Sequence, residues 1–306
     1  MRYCRGKVAV VGDLILDEYI VCEVLGISPE DDFALNLRVA ERRFSLGGAA
    51  NVAHNLAKIG DIEVHLFGRT HDTGSMRYGK FRIQLRKTGI NFHPIIDTVD
   101  IAHKQRFISV KGRQLARIND EQKFPMDGMK ANEFGRKFRE YGKYDLVVVS
   151  DYKKGFITEE VMSYLTNEKV IVDPKGTDFE KYGSPFIITP NESEWGPGHD
   201  AEHEIVTCSW NGSKLYSRLW SGEMTFVSYH PTNTREVGDP TGCGDSFVAG
   251  LVRALLIDDN VGWACGQANA AGACAFDHIG SHAVTKEEIE KELASFKYYG
   301  GSSSQI

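Results

Sequence analysis

Six short, almost uninterrupted apolar runs set the tightest limit on how this chain can fold. They lie at 7–11, 62–67, 145–149, 170–172, 186–189 and 204–207. A strand with one wet face alternates polar and apolar residues, whereas a strand of a parallel sheet is covered on both faces and stays apolar throughout. Stretches of helical spacing separate or follow these runs, at 49–59, 129–141, 158–165, 246–256, 263–276 and 286–296. The last opens on Thr285 with Glu288 three residues later, the capping-box spacing. Buried strands alternating with helices predict an α/β fold, a mainly parallel central sheet with helices on both faces.

Two segments break that rhythm. Residues 24–44 and 103–120 alternate polar and apolar positions, the second around Lys111-Gly112, as exposed antiparallel hairpins do. They predict one small antiparallel lid sheet beside the main sheet, all within a single domain spanning 1–306. The Gly/Ser-rich end, 300–306, is expected to be disordered.

A chain of 306 residues is large enough to bury a core without cross-links. Its six cysteines, Cys4, Cys22, Cys208, Cys243, Cys265 and Cys274, form no C-x-x-C pair or zinc spacing and read as reduced thiols of a cytoplasmic protein. No secretory leader pattern opens the sequence, and no apolar run approaches the roughly 18 residues of a membrane helix. Lys and Arg total 36 against 42 Asp and Glu, a net charge of −6, so neither nucleic acid nor an acidic membrane is an expected partner.

In open α/β sheets ligands bind beyond the carboxyl ends of the strands. There this chain places Gly12-Asp13 and Asp17, then Ser150-Asp151-Tyr152-Lys153, Asp173-Pro174-Lys175-Gly176, and Pro190-Asn191-Glu192-Ser193-Glu194. Any one of these is equally well a polar surface loop; together they crowd acids, amides and lysines onto one edge. The sharpest segment is Gly238-Asp239-Pro240-Thr241-Gly242-Cys243-Gly244-Asp245-Ser246-Phe247, where small residues open a helix. Unpaired N–H groups at such a start, with the positive dipole end behind them, suit an anion. Asp245 reads either as a reactive carboxylate or as a first-turn residue compensating the dipole. Gly47-Gly48-Ala49-Ala50-Asn51 also precedes a helix and suits either hydroxyl recognition or close helix packing. No Walker P-loop sequence is present.

These segments resemble the ribokinase-like (PfkB) carbohydrate kinase family. Gly47-Gly48-Ala49-Ala50-Asn51-Val52-Ala53 and Asp239-Pro240-Thr241-Gly242-Cys243-Gly244-Asp245 match its two signatures. Within the family, several runs are most similar to heptose 7-phosphate kinases: Val10-Val11-Gly12-Asp13-Leu14-Ile15-Leu16-Asp17-Glu18-Tyr19, Ile27-Ser28-Pro29-Glu30, Ser150-Asp151-Tyr152-Lys153-Lys154-Gly155, Asp173-Pro174-Lys175-Gly176-Thr177-Asp178-Phe179 and Thr189-Pro190-Asn191-Glu192-Ser193-Glu194.

The resemblance implies a ribokinase-like fold and ATP- and Mg2+-dependent phosphorylation of D-glycero-β-D-manno-heptose 7-phosphate at C1, on the route to a nucleotide-activated heptose. A kinase for another sugar, sugar phosphate or nucleoside is the alternative within enzymes. A regulator that binds nucleotide or sugar without turnover is the alternative outside them. Asp245 is then the base, with the N–H groups of Gly242, Cys243 and Gly244 as the anion hole. Asp13, Asp17, Gly48 and Asn51 hold sugar hydroxyls, and Lys104, Arg106 and Lys175 take the substrate's existing phosphate. Asn191 and Glu194 organise Mg2+ through water, Thr207 and Gly212 border the nucleotide phosphates, and Asn269, Ala270 and Gly280 border adenine. The resemblance also allows a monovalent cation beside Asp239 and Thr241 and implies a homodimer formed through the lid.

This sequence departs from the family at several positions. Cys243 replaces a smaller residue, Ser209 stands for the first Gly of T-x-G-x-x-G, His278 for a Lys and His71 for a Gly. Residues 195–204 are too few for the helix that relatives place there, and the H-x-G-H motif of a nucleotidyltransferase half is absent.

Overall fold

A computed structural model describes residues 5–71, 74–196, 200–218, 224–229 and 238–295. In chain order the elements are β1 (Arg5–Gly12), β2 (Leu14–Ser28), β3 (Asp31–Gly48), α1 (Ala49–Ile59), β4 (Asp61–Thr70), α2 (Met76–Leu85), β5 (Asn91–Ile96), β6 (Ala102–Ser109) and β7 (Gln114–Asp120). They continue with α3 (Gly128–Glu140), β8 (Leu146–Ser150), α4 (Glu159–Ser163), β9 (Val170–Asp173), β10 (Ile187–Ile188), β11 (His203–Thr207), β12 (Ser213–Arg218) and β13 (Met224–Tyr229). Three helices close the described chain: α5 (Cys243–Ile257), α6 (Val261–Phe276) and α7 (Lys286–Ala294).

The main sheet has nine strands in the order β13-β12-β11-β10-β9-β8-β1-β4-β5. It is parallel from β11 to β5, and the six apolar runs supply β1, β4, β8, β9, β10 and β11. β1 shows why those runs carry no alternation. Val8 and Val10 enter the core formed with α1, α5 and α6, while Ala9 and Val11 enter the opposite core formed with α3 and α4. Each fully buried aliphatic side chain there contributes about 1.5–3 kcal/mol of transfer free energy.

Four elements lie where the sequence reading placed none, and each breaks the pattern used to find the others. β5 carries Pro94 and is an edge strand, where a missing N–H is tolerated. β12 and β13 are antiparallel additions beyond β11, and β12 mixes polar and apolar residues. α2 has Gly79 in its middle and buries only Tyr78, Phe81 and Leu85.

The lid is a four-stranded sheet ordered β3-β2-β6-β7. Two antiparallel hairpins, β2 with β3 and β6 with β7, join along a parallel pairing of β2 with β6. It begins ten residues earlier than the alternating pattern of 24–44 indicated, because residues 14–20 are buried on both faces of the strand and so lack the alternation of an exposed hairpin. The expected disorder of 300–306 and Cys4 lie outside the described residues. Among the described residues, Cys22, Cys208, Cys243, Cys265 and Cys274 are not joined in disulfides. Among the described residues no helix is long and apolar enough to cross a membrane.

Candidate active site

A cleft of about 210 Å3 opens between the carboxyl edge of the main sheet and the lid. Ile15, Asp17, Lys104 and Arg106 of the lid line one side; Gly48, Tyr152, Thr241, Gly242, Asp245 and Ser281 belong to the main body.

Asp245 sits in the first turn of α5 and is 4% exposed. Its Oδ2 accepts a hydrogen bond from Asn51 Nδ2 at 2.6 Å, and its Oδ1 accepts one from the Tyr152 hydroxyl at 2.8 Å. Burial pushes the carboxyl up to about 6, against the lowering effect of those two bonds. A base that ionises near neutrality and still offers lone pairs to the cleft is suited to take a proton from a hydroxyl.

Asn51 is set by its own helix. Asn55, one turn on in α1, donates to the Asn51 carbonyl at 2.9 Å and accepts from Ser246 Oγ of α5 at 3.0 Å. Helix starts 194 residues apart in sequence are thereby locked together. Gly242 immediately precedes α5 with φ of 83°, and a Cβ there would lie 2.9 Å from Asn51 Nδ2, so glycine meets both the backbone and the space requirement.

Of the residues expected to form an anion hole, Gly242 and Gly244 stand at the start of α5, where N–H groups have no carbonyl one turn earlier. The Cys243 N–H instead closes a turn onto the Pro240 carbonyl at 3.3 Å. Asp17 and Gly48 line the cleft, and Asp17 is paired with Arg106. Asp13 is displaced from the role implied for it. Its carboxylate accepts the N–H groups of Tyr152, Lys154 and Phe156 at 2.9, 3.0 and 3.2 Å, so it shapes the loop that presents Tyr152 rather than facing the cleft.

Lys104 stands 5.0 Å from the Tyr152 ring centroid. Burial lowers its pKa; Asp17 opposes that, and Lys154, Arg117 and Arg106 add to the lowering. Lys175 does not join this group. Its ammonium is 2.5 Å from Glu194 Oε1, along the sheet edge from the lid.

Asn191, Glu194 and Thr207 converge at the ends of β10 and β11. Asn191 and Thr207 pair in an isolated parallel bridge, and Asn191 Oδ1 accepts the Ser193 and Glu194 N–H groups at 3.0 Å each. Asp173, at the end of β9, joins them. Burial raises its pKa well above the usual carboxylate value, and the charges of Asp245 and Glu194 raise it further. A buried carboxyl whose ionisation is opposed by two neighbouring carboxylates is a fit for a divalent cation, whose charge would relieve the repulsion.

The adenine assignments fare unevenly. Asn269 donates to Ser213 Oγ at 3.1 Å, which places it beside β12. Ala270 is fully buried in the core and offers no surface to a ligand. Gly280 lies on the other side: its N–H donates to Asp239 Oδ2 at 2.8 Å, and a Cβ would crowd the Tyr19 ring. Gly212, with φ of 81°, closes the turn after Ser209, and Ser209 itself holds φ of 52°, the left-handed conformation that glycine adopts freely.

Sequence reasoning missed Tyr152 and Asp173 as site residues, although both stand in quoted runs; their position directly after β8 and at the end of β9 was the available signal. No helix forms among the described residues between Asn191 and β11. Instead Trp195 stacks on Tyr216 with ring centroids 5.2 Å apart and donates to Glu204 Oε2 at 3.2 Å.

Comparison with known proteins agrees with this architecture. The ribokinase of Thermotoga maritima superposes with a TM-score of 0.69 at 19% identity, over 94% of this chain and 99% of its own. Phosphofructokinase-2 of Escherichia coli, solved with substrates and products, superposes with a TM-score of 0.75 at 15% identity, over 95% of this chain and 99% of its own. The fold is therefore ribokinase-like. By sequence, the chain is 31% identical over 318 residues to the bifunctional protein HldE of Histophilus somni, covering 95% of this chain. It is also 31% identical over 313 residues to that of Campylobacter jejuni, covering 93%. It spans 64% of the length of each of these relatives. Residues 5–288 match the pfkB family of carbohydrate kinases, and the chain belongs to that family. Carbohydrate kinases, the enzymes for which that family is named, transfer a phosphoryl group to an alcohol acceptor.

Proposed function

We propose that this protein transfers the γ-phosphoryl group of ATP to the C1 hydroxyl of a heptose 7-phosphate, forming the 1,7-bisphosphate for nucleotide-activated heptose synthesis. The observation that carries this reading is the juxtaposition of Asp245 with Lys104 and Arg106 in one cleft: a base for a hydroxyl beside cations for a phosphate already on the sugar. The heptose-kinase-like runs of the sequence supply the choice of sugar.

In the step proposed, Asp245 accepts the proton of the attacking hydroxyl. The hydroxyl oxygen bonds to the γ-phosphorus as the bond to the β-phosphate oxygen breaks, leaving ADP. Gly242 and Gly244 present N–H groups to the transferring oxygens, and Asn51 and Tyr152 hold the carboxylate in place. Mg2+ supplies charge neutralisation on the nucleotide phosphates, and Glu194, Asn191 and Asp173 are the residues that would hold it, through water. Thr207, Gly212 and Asn269 border the nucleotide in this reading. Lys175, paired with Glu194, is assigned to the nucleotide side rather than to the sugar phosphate. Lid closure keeps water from the reaction.

A monovalent cation beside Asp239 remains part of the proposal. Burial opposes ionisation there, but bonds from Thr241 and Gly280 and the charge of Arg106 hold the Asp239 carboxyl below its usual value. E. coli phosphofructokinase-2 has been solved with potassium.

A homodimer through the lid is supported by the apolar outer half of that sheet. Val24, Leu25, Ile27, Leu35 and Val39 are half exposed and Phe33 is 99% exposed. Such strands invite pairing when uncovered. ATP use suits the cytoplasm.

Assaying a panel of free and phosphorylated hexoses and heptoses with ATP and Mg2+ tests the substrate. Heptose 7-phosphate should give the highest kcat/KM, and a higher value for an unphosphorylated sugar would overturn the assignment.

A further inference from the structure

His278, His282 and Glu288 form a cluster that the phosphoryl-transfer chemistry does not use. The Nε2 atoms of both histidines lie 3.1 Å from the same oxygen, Glu288 Oε1. The two rings stack with centroids 3.6 Å apart and planes inclined by 18°. One donor atom from each of the three residues falls within 4.8 Å of the other two. We propose that these residues bind a first-row divalent transition ion of the zinc class, which clamps the segment between α6 and α7.

The spacing supports this directly. Zinc bonds to imidazole nitrogen and carboxylate oxygen at about 2.0–2.1 Å, so neighbouring ligand atoms of a tetrahedral site lie about 3.3 Å apart. The two Nε2 to Oε1 separations are close to that edge, and moderate side-chain rotation opens room for an ion between them. Two imidazoles and one carboxylate suit zinc, cobalt or nickel rather than magnesium or calcium, which prefer oxygen alone.

The carboxylate is already oriented. Glu288 Oε2 accepts the Thr285 N–H at 2.6 Å and the Thr285 hydroxyl at 2.8 Å, as part of the capping box of α7. Outer contacts of this kind fix the direction of metal ligands. All three side chains are between 30% and 41% exposed, so an ion has an entry path and water can complete the coordination.

The plain alternative is a hydrogen-bonded cluster in which both imidazoles donate to one oxygen. The two arrangements exclude each other at the atom level. Donation needs a proton on each Nε2, whereas metal binding needs the lone pair there and moves the proton to Nδ1.

Clamping has a local consequence. Between the two histidines lie Gly280, whose N–H holds Asp239, and Ser281, which lines the cleft. An ion joining His278 and His282 to α7 ties down both flanks of that stretch. This inference stands independently of the kinase substrate.

The test uses the full chain, stripped with a chelator and kept in excess Mg2+ so that oxygen-only sites are filled. Titration with ZnCl2 by calorimetry, and with CoCl2 by visible absorption, should show one equivalent bound and a thermal midpoint that rises with zinc. His278→Ala and His282→Ala, both at partly exposed positions, should each weaken binding by more than the about 10–100-fold that outer contacts carry, and abolish the zinc-dependent rise. Absence of zinc uptake by the unaltered chain overturns the proposal, as does uptake that persists undiminished in both variants.

Discussion

Tyr152 and Asn51 donate to opposite oxygens of Asp245, at 2.8 and 2.6 Å, from a loop after β8 and from the first turn of α1. The carboxylate is therefore held from both sides by groups that cannot accept its proton at neutral pH. Burial raises the Tyr152 hydroxyl well above its ordinary value, and the charge of Asp245 raises it further, so the phenol stays a donor.

Removing that donor should move the pH profile. With Asp245 at about 6, kcat/KM of the unaltered enzyme should fall as pH drops through 6. Tyr152→Phe deletes a bond that favours the ionised form, so the acid limb should shift upward by about one unit. A profile left in place, measured from pH 5 to 9, would show that Tyr152 does not tune the base.

Asp245→Asn should separate activity from stability. Turnover should drop by about 10²–10⁴ while the fold persists. A carboxyl whose folded pKa lies above its unfolded value holds its proton more tightly when folded, so its contribution to stability declines as pH rises from about 4 to about 6. Above that window the native protein carries a disfavoured charge, which Asn removes. The thermal midpoint at pH 8 should rise. Near-normal turnover in this variant contradicts the proposed mechanism.

Lys104→Met is the cleaner probe of phosphate recognition, because Arg106 is already paired with Asp17. Losing one charge-assisted contact of about 1.5–3 kcal/mol should lower kcat/KM for the phosphorylated sugar by about 10–150-fold and hardly alter that for the free sugar. Equal losses on both substrates would place Lys104 in general cleft structure instead.

Ser209 holds φ of 52° where glycine would carry no steric penalty. Ser209→Gly should relieve about 1–2 kcal/mol of strain, offset by about 0.5–1 kcal/mol of added backbone entropy, for a small net gain in thermal midpoint. Ser209→Val should lose stability. Paired melting curves decide the sign.

Phe33→Asp tests the lid interface. If the exposed apolar strands pair two copies, this substitution should convert a dimer to a monomer in sedimentation at micromolar concentration without unfolding it, since Phe33 is 99% exposed. A monomeric unaltered protein with full activity would remove the dimer from the proposal.

Local pattern determined a great deal of this molecule. Uninterrupted apolar runs marked six parallel strands, because a strand covered on both faces leaves no polar position to interrupt it. Helical spacing marked α1 at its observed bounds, and small residues ahead of Asp245 marked the start of α5. Other elements escaped that reading: β5 holds a proline, β12 is half polar and α2 contains a glycine, so none carries the buried periodicity. Tertiary structure alone decided which polar residues meet. Tyr152 reaches Asp245 across 93 positions and Asn51 reaches it across 194, while Asp13 turns to three backbone N–H groups and Lys175 to Glu194. Strand order and helix packing set those encounters. A residue's neighbours in sequence carry its preference for helix or strand, but its partners in the site are fixed by where the whole sheet brings distant strand ends together.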